Sequence, residues 1–353
     1  MARITEAVSR AATLAGLLGL ATLACGQGGA ANGREVAAFI EDLQVGEPVA
    51  YENLTVFPVY YGERGFHVSL VTLDEAFEKK WLKITEVEGG RVPQVEVSNL
   101  SDKSIFMMGG EILTGCRQDR IVGRDVVLGP WHKKVIVPVY CVERGRWTYE
   151  SDQFYSKKNL GTTELRAEAQ KASDLAQSRI WSEVSDLHVR GGSAGETRFQ
   201  EVFEAEGAKR QIAVIEEKLA DVPRLFPDAD GAVFCVGDQI LSIDVFRYES
   251  VFKALWPKIL RSAALATFAC DAHCSVTQND VVRFLRSLHD KRYTERRAVD
   301  LGSELTLADE EVNVNALVYP DKVFHLAAFP EGPAKPAEKS GDDERRIRVW
   351  MRQ

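Results

Sequence analysis

The sequence predicts an α+β fold, with a mainly β N-terminal half, a helical middle and a mixed β/α C-terminal part sharing one core. Three observations carry that expectation. Between Leu54 and Trp147 the apolar residues fall in short runs separated by turn residues, which is strand spacing. From Thr162 to Leu219 they recur every three or four positions, the period of helices with one buried face. Beyond Ala232 short apolar runs return and alternate with further helical stretches.

The first strands are Leu54-Thr55-Val56-Phe57, Phe66 to Leu70, Val95-Glu96-Val97, Ile105 to Met108 and Val135 to Val139, rich in β-branched and aromatic residues. Gly89-Gly90 and Asn99 to Lys103 supply turns, and Leu73 to Phe77 is a single helical interruption. Thr162 and Thr163 can cap a helix that carries Leu165, Ala169, Ala172, Ala176, Ile180 and Val184 on one face. A glycine-rich loop from Arg190 to Thr197 ends it. A second helix is expected from about Phe199 to Leu219, stopped by Pro223 and Pro227. A strand pair follows, Ala232 to Val236 and Ile240 to Val245. Phe252, Leu255, Trp256, Ile259, Leu260 and Ala263 then mark an amphipathic helix, kinked or started at Pro257. Val281, Phe284, Leu285 and Leu288 give one more helix, and Val312 to Val318 with Val323 to Phe329 closes as a hairpin. Residues 330–353 read as a flexible Pro-, Lys- and Asp-rich loop with a short C-terminal strand.

The N-terminus predicts export. Arg3 and Arg10 bracket the start and an apolar run from Ala11 to Ala24 follows. A bilayer needs about 20 apolar residues and a signal peptide about 7 to 15, so residues 1–24 read as a cleaved signal. Thr22-Leu23-Ala24-Cys25 resembles a lipobox, in which the Cys25 thiol takes a diacylglycerol, although Thr22 stands where leucine is usual. Residues 25–49 are then the lipidated cysteine and a flexible tether, opened by Gly26-Gln27-Gly28-Gly29. Residues 50–329 are one globular domain. The expected location is the cell envelope, lipid-anchored in the outer membrane or at the cell surface, because Gly26 rather than Asp follows the cysteine. The partner there is the membrane itself, through acyl chains whose buried methylenes contribute about 0.8 kcal/mol each.

Composition limits the remaining classes. Of the 353 residues 45% are hydrophobic and 27% charged, and the net charge is -8, as in ordinary globular proteins. A sequence pI near 5.5 leaves no basic excess to release counterions from a phosphate backbone, so nucleic acid is not an expected partner. With Cys25 lipidated, five cysteines remain. Cys141 and Cys235 sit in apolar strand-like runs and read as small buried hydrophobes.

The densest polar cluster runs from Met107 to Val122 and contains Gly109, Gly110, Glu111, Gly115, Cys116, Arg117, Gln118, Asp119 and Arg120. Pro138-Val139-Tyr140-Cys141-Val142-Glu143-Arg144-Gly145-Arg146-Trp147 follows downstream. With Leu54-Thr55-Val56-Phe57-Pro58-Val59, these motifs resemble the ARG and rhodanese-phosphatase-superfamily-associated protein domain, over about Glu52 to Leu326. The resemblance places Glu111, Gln118, Asp119, Arg120, Cys141, Glu143, Arg146 and Trp147 at motif positions. Cys116 departs from it, standing where a second glycine is expected. The family takes its name from genomic association with ADP-ribosylglycohydrolases and rhodanese-phosphatase proteins, so the resemblance implies a context and brings no mechanism or cofactor.

Read chemically, Gly109 and Gly110 let backbone N–H groups approach a ligand, while Arg117, Arg120 and Arg146 can bind carboxylate or phosphate in bidentate fashion. Gln118 and Trp147 complete a binding set. Glu111, Asp119 and Glu143 are the candidate catalytic acids and bases. The expected ligand is a phosphorylated or ADP-ribose-like anion. The same residues also fit a structural ion network across neighbouring strands, which would make the chain a non-catalytic envelope structural or interaction module.

Other signals are weaker. Gly191 to Thr197 lacks the lysine and preceding strand of a P-loop. Cys270-Asp271-Ala272-His273-Cys274, even with His289, lacks the second paired gap of a zinc site, so packing or a disulfide is expected there and no metal site is predicted. No G-x-S-x-G, H-E-x-x-H or dinucleotide-binding glycine fingerprint occurs, so the common hydrolase and dehydrogenase templates do not apply.

Overall fold

Leu54–Tyr61 is the strand about which the molecule is built, and its residues alternate between two cores. Leu54 and Val56 enter one apolar cluster, while Phe57, Val59 and Tyr61 enter another on the opposite face. A strand covered on both faces reads as a continuous apolar run, as this one does. A computed structural model of the chain describes residues 30–31, 33–62, 70–87, 93–145, 148–171, 173–190, 197–269 and 272–331. Over these residues the fold is α+β, with three sheets and helices on their faces.

The large sheet has ten strands. Its spatial order is Ala30–Ala31, Tyr293–Arg297, Ser303–Ala308, Val312–Val318, Val323–Pro330, Gln239–Phe246, Gly231–Val236, Leu54–Tyr61 and Leu43–Val45, with Val49–Tyr51 also paired to Leu54–Tyr61. A six-stranded sheet runs Phe154–Leu160, Glu111–Gly115, Arg120–Val122, Val135–Cys141, Gln94–Asn99 and Leu82–Glu86. In the third sheet Ser104–Met107 lies between Val126–Leu128 and the parallel Leu70–Thr72. Leu54, Phe106, Ile112, Leu165, Ile180, Ile212, Phe234 and Phe252 belong to a single buried cluster, so all three sheets and the long helices share apolar surface.

Several expectations change. Arg34–Glu41 is a helix that buries Val36, Phe39 and Ile40, and Leu43–Val45 and Val49–Tyr51 pair with Leu54–Tyr61. Packed apolar side chains and ladder hydrogen bonds therefore replace the tether expected up to residue 49, and the body begins well before residue 50. The signal segment, Cys25 and residues 332–353 lie outside the described residues. The helix expected from Thr162 to Val184 is two helices, Thr163–Lys171 and Ala176–Arg190, parted near Ser173 and Asp174, whose side chains favour turns. Phe199–Val202 and Glu206–Leu219 likewise replace one continuous helix. The Glu249–Ala266 helix runs through Pro257 and does not begin there. Tyr293–Arg297 and Ser303–Ala308 pair as strands that the sequence reading left out, because their exposed charged positions break any apolar alternation.

Candidate functional site

The turn between Glu111–Gly115 and Arg120–Val122 is made by two consecutive residues with left-handed backbone, Gly115 at φ 114° and Cys116 at φ 51°. Glycine reaches this region without steric cost, and a side chain costs about 1–2 kcal/mol there. The family's second glycine, where this chain has Cys116, is thus what the backbone favours. The turn leads through Asp119 into Arg120, the first residue of the returning strand.

Asp119 is fully buried. It takes a forked pair of bonds from Arg198, at 3.2 Å from Nε and 3.1 Å from Nη2, and the Gly115 N–H at 3.1 Å. Glu143 is 1% exposed, accepts the Asp119 N–H at 3.4 Å and lies 3.8 Å from Arg198 Nε. Arg198 also reaches Glu150 at 2.9 Å. Burial pulls the Arg198 pKa down, but its hydrogen bonds and charge attraction to Asp119 outweigh this and hold it above its ordinary value.

Arg120 is 2% exposed. Its Nη1 donates to the Gln118 carbonyl at 3.0 Å, the Gln118 side chain at 3.4 Å and the Asp119 carbonyl at 3.3 Å, and its Nη2 lies 3.8 Å from Glu86. Gln118 in turn donates to the Glu143 carbonyl and accepts the Cys141 S–H. Burial pushes the Cys116 and Cys141 thiols up to about 11, away from nucleophile chemistry. Arg117 is the half-exposed member, 3.6 Å from Glu86. Arg146 and Trp147 lie outside the described residues.

Glu111 does not join Asp119 and Glu143. It is fully buried, bonds Lys258 at 2.5 Å and accepts the Met108 N–H at 2.8 Å, while Lys258 also bonds Asp74 at 2.5 Å. Burial, reinforced by Asp74, raises the Glu111 pKa to about 7 against the pull of Lys258. Burial draws Lys258 down, but two carboxylates outweigh it and keep it charged. The expected catalytic trio is therefore split between two clusters.

Gly109 and Gly110 serve a third cluster. The Gly109 N–H goes to Asp125 at 2.7 Å and the Gly110 N–H to the Val122 carbonyl at 2.8 Å, so neither faces a ligand as expected. Gly110 has φ 101°, and a Cβ on it would stand 2.5 Å from Arg166 Cγ. The glycines make room for the Thr163–Lys171 helix to bring Arg166 against the sheet. There Arg166 grips Asp244 with bonds of 2.9 and 2.5 Å, Asp244 meets His325 Nε2 at 3.3 Å, and His325 Nδ1 meets Asp125 at 2.6 Å. Burial lowers the His325 pKa, but Asp125 and Asp244 outweigh it and raise it to about 9. Burial would raise Asp244, yet Arg166 and His325 hold it well below the carboxylate range.

The sequence reading missed Arg198, Glu86, Asp74, Lys258, Asp125, Arg166, Asp244 and His325. A usable signal existed for three. Lys258 lies within an amphipathic apolar stripe, and Asp244 and His325 are the lone ionisable groups in Ile243-Asp244-Val245 and Phe324-His325-Leu326. Among the described residues no group of three or more His, Cys, Asp or Glu is placed to hold a metal ion. His289 faces Glu41 and Asp290, not Cys274.

The fold and these clusters define an α+β protein with ionic clusters buried against its sheets. Residues 42–329 match the model of the ARG and Rhodanese-Phosphatase-superfamily-associated Protein domain, and the chain belongs to that family. No curated protein and no solved structure matches it.

Proposed function

We propose that this chain is a lipid-anchored cell-envelope interaction module in which the Gly109 to Glu143 motif is a structural lock. One observation carries the reading of the motif: Arg120, its central cation, is 2% exposed and spends its Nη1 on the Gln118 and Asp119 carbonyls. An anion could reach it only by dismantling these bonds. Arg117, Arg120 and Arg198 also face four carboxylates, on Glu86, Asp119, Glu143 and Glu150, which leaves no positive surplus among these described groups. Support for the anchor is the apolar run ending in Thr22-Leu23-Ala24-Cys25. The sheet starts at Ala30–Ala31, so the intervening chain would keep the body within roughly 20 Å of the bilayer at about 3.5 Å per residue.

The lock reading predicts that Arg120→Ala lowers stability by about 3 kcal/mol or more in chemical denaturation, since it strands buried acceptors. It also predicts no melting shift with nucleotides, ADP-ribose or sugar phosphates. The rival reading, a site for a phosphorylated or ADP-ribose-like anion, leans on half-exposed Arg117. It would be established by ligand protection of about 2.7 kcal/mol at 100 times the dissociation constant, lost in Arg120→Ala with stability changed by less than about 1 kcal/mol. For the anchor, Cys25→Ser abolishes metabolic palmitate labelling and leaves the melting temperature unchanged. Equal labelling of both proteins would refute the anchor.

A further inference from the structure

Cys235 lies on the central Gly231–Val236 strand, opposite Thr55 on one side and Ile240 on the other. Its side chain is fully buried in the apolar cluster that also holds Val233 and Ile243. Cys274 stands just before the Gln278–Ser287 helix, partly buried and packed against that same cluster. The two segments are tied by a 2.7 Å backbone bond from the Ser275 N–H to the Gly237 carbonyl, one residue beyond Cys274 and two beyond Cys235. Both side chains pack on that one cluster, and each thiol lies close enough to feel the other's charge. Alongside lies a cavity of about 430 Å³ lined by Gln239, Ile240, Ser275, Val276 and Phe284.

We propose that Cys235 and Cys274 are a cross-linking site that closes to a structural disulfide when the chain meets a disulfide-bearing oxidant. Cys270, for which the sequence left packing or a disulfide with Cys274 open, lies outside the described residues; the fold brings Cys274 and Cys235 to one apolar cluster. Cys274 is the accessible thiol and reacts first. Its thiolate attacks one sulfur of the donor disulfide, that S–S bond breaks, and the donor's other sulfur leaves as a thiolate. Cys235 then gives its proton to water, attacks Cys274 Sγ and expels the remaining donor sulfur. Two cysteine thiols are oxidised by two electrons and one disulfide is reduced to two thiols.

Burial holds the Cys235 thiol well above its ordinary pKa. Its attack is therefore slow, but reduction is hindered for the same reason, because Cys235 would have to leave as a desolvated thiolate. The bridge joins the strand to the segment before the Gln278–Ser287 helix and closes a loop of about 40 residues, a length at which cross-linking removes substantial chain entropy from the unfolded state. Nothing in this inference requires the lipid anchor, so it stands or falls separately from the envelope reading.

The test uses the purified full chain incubated with oxidised glutathione, denatured, alkylated and digested without reduction. Mass spectrometry is expected to find the Cys235 and Cys274 peptides joined. The oxidised protein should melt about 5 °C above the reduced one, and Cys274→Ser should lose both the joined peptide and the rise. Cys235→Ala provides a second variant, in which Cys274 should stop at the glutathione mixed disulfide because no second thiol is there to displace it. Alkylation of both cysteines in the oxidised wild type, or a Cys270 to Cys274 bridge, would overturn the proposal.

Discussion

Two ionic clusters of similar composition sit in different settings. The Asp119, Glu143 and Arg198 cluster lies at the rim of the six-stranded sheet, where Arg198 keeps a fifth of its side-chain surface in water. The Asp125, His325, Asp244 and Arg166 cluster is sealed, with Arg166 1% exposed and Asp244 and His325 not at all. Desolvation separates them. At the rim, water can rehydrate a carboxylate whose partner is lost, whereas in the sealed cluster an orphaned charge has no recourse. The motif that stands out in the sequence is thus the less demanding of the two.

The largest expected effect is on the sealed side. Arg166→Ala removes the bidentate partner of buried Asp244 and the guanidinium that lies 4.9 Å from the Phe329 ring. Breaking such a buried pair costs about 3–5 kcal/mol. Urea denaturation should show a loss of at least about 4 kcal/mol once the lost packing is included. The paired change Arg166→Met with Asp244→Leu should recover part of it, because both desolvation penalties vanish together. A loss below about 1 kcal/mol for Arg166→Ala would mean that the cluster is hydrated after all.

A pH series sharpens the comparison next. His325 has its pKa raised from the ordinary 6.5 to about 9 in the folded state, so between these values the native chain binds more protons than the unfolded one. Its contribution is fully present below about pH 6.5 and is lost as pH rises through about 9. The shift corresponds to roughly 3 kcal/mol. Glu111, raised to about 7, acts in the same direction between about pH 4.5 and 7. Urea midpoints should therefore fall between pH 6.5 and 9, and the His325 ring protons should titrate near 9 by NMR. Flat midpoints together with an imidazole that titrates near 6.5 would remove the sealed charge from the account.

How much of this was legible in the sequence follows from the same contrast. Strands such as Leu54–Tyr61 and the Val312–Val318 hairpin arm were readable because apolar side chains repeat locally, and the family resemblance was readable because Glu111 to Arg120 and Cys141 to Glu143 are contiguous. The sealed cluster was not readable, since Asp125, Arg166, Asp244 and His325 meet only after two sheets and a helix have packed. Gly109 and Gly110 looked like a ligand cradle from sequence alone. Their actual neighbours, Asp125, Val122 and Arg166, include one 56 residues beyond Gly110 that no local pattern could supply. The Arg34–Glu41 helix was hidden for a simpler reason, its position directly after glycine-rich chain.

The smallest effect belongs to the rim and bears on the comparison most directly. Arg198 and Glu150 are bonded at 2.9 Å, but their side chains are 20% and 31% exposed. Solvent screens the attraction, and holding two long side chains in one geometry costs rotamer entropy, so exposed pairs contribute about 0.2–1 kcal/mol. Glu150 also accepts the Tyr155 hydroxyl at 3.1 Å, which complicates any single substitution. A double-mutant cycle with Arg198→Ala and Glu150→Ala isolates the pair from such effects. Its coupling should be below about 1 kcal/mol and should shrink in 0.5 M salt, where the Debye length is well below 8 Å. The corresponding cycle on Arg166 and Asp244 should exceed about 2 kcal/mol and be nearly indifferent to salt, because no mobile ions reach it. Equal couplings in the two cycles would show that burial does not separate the clusters, and the contrast drawn between rim and sealed core would lose its physical basis.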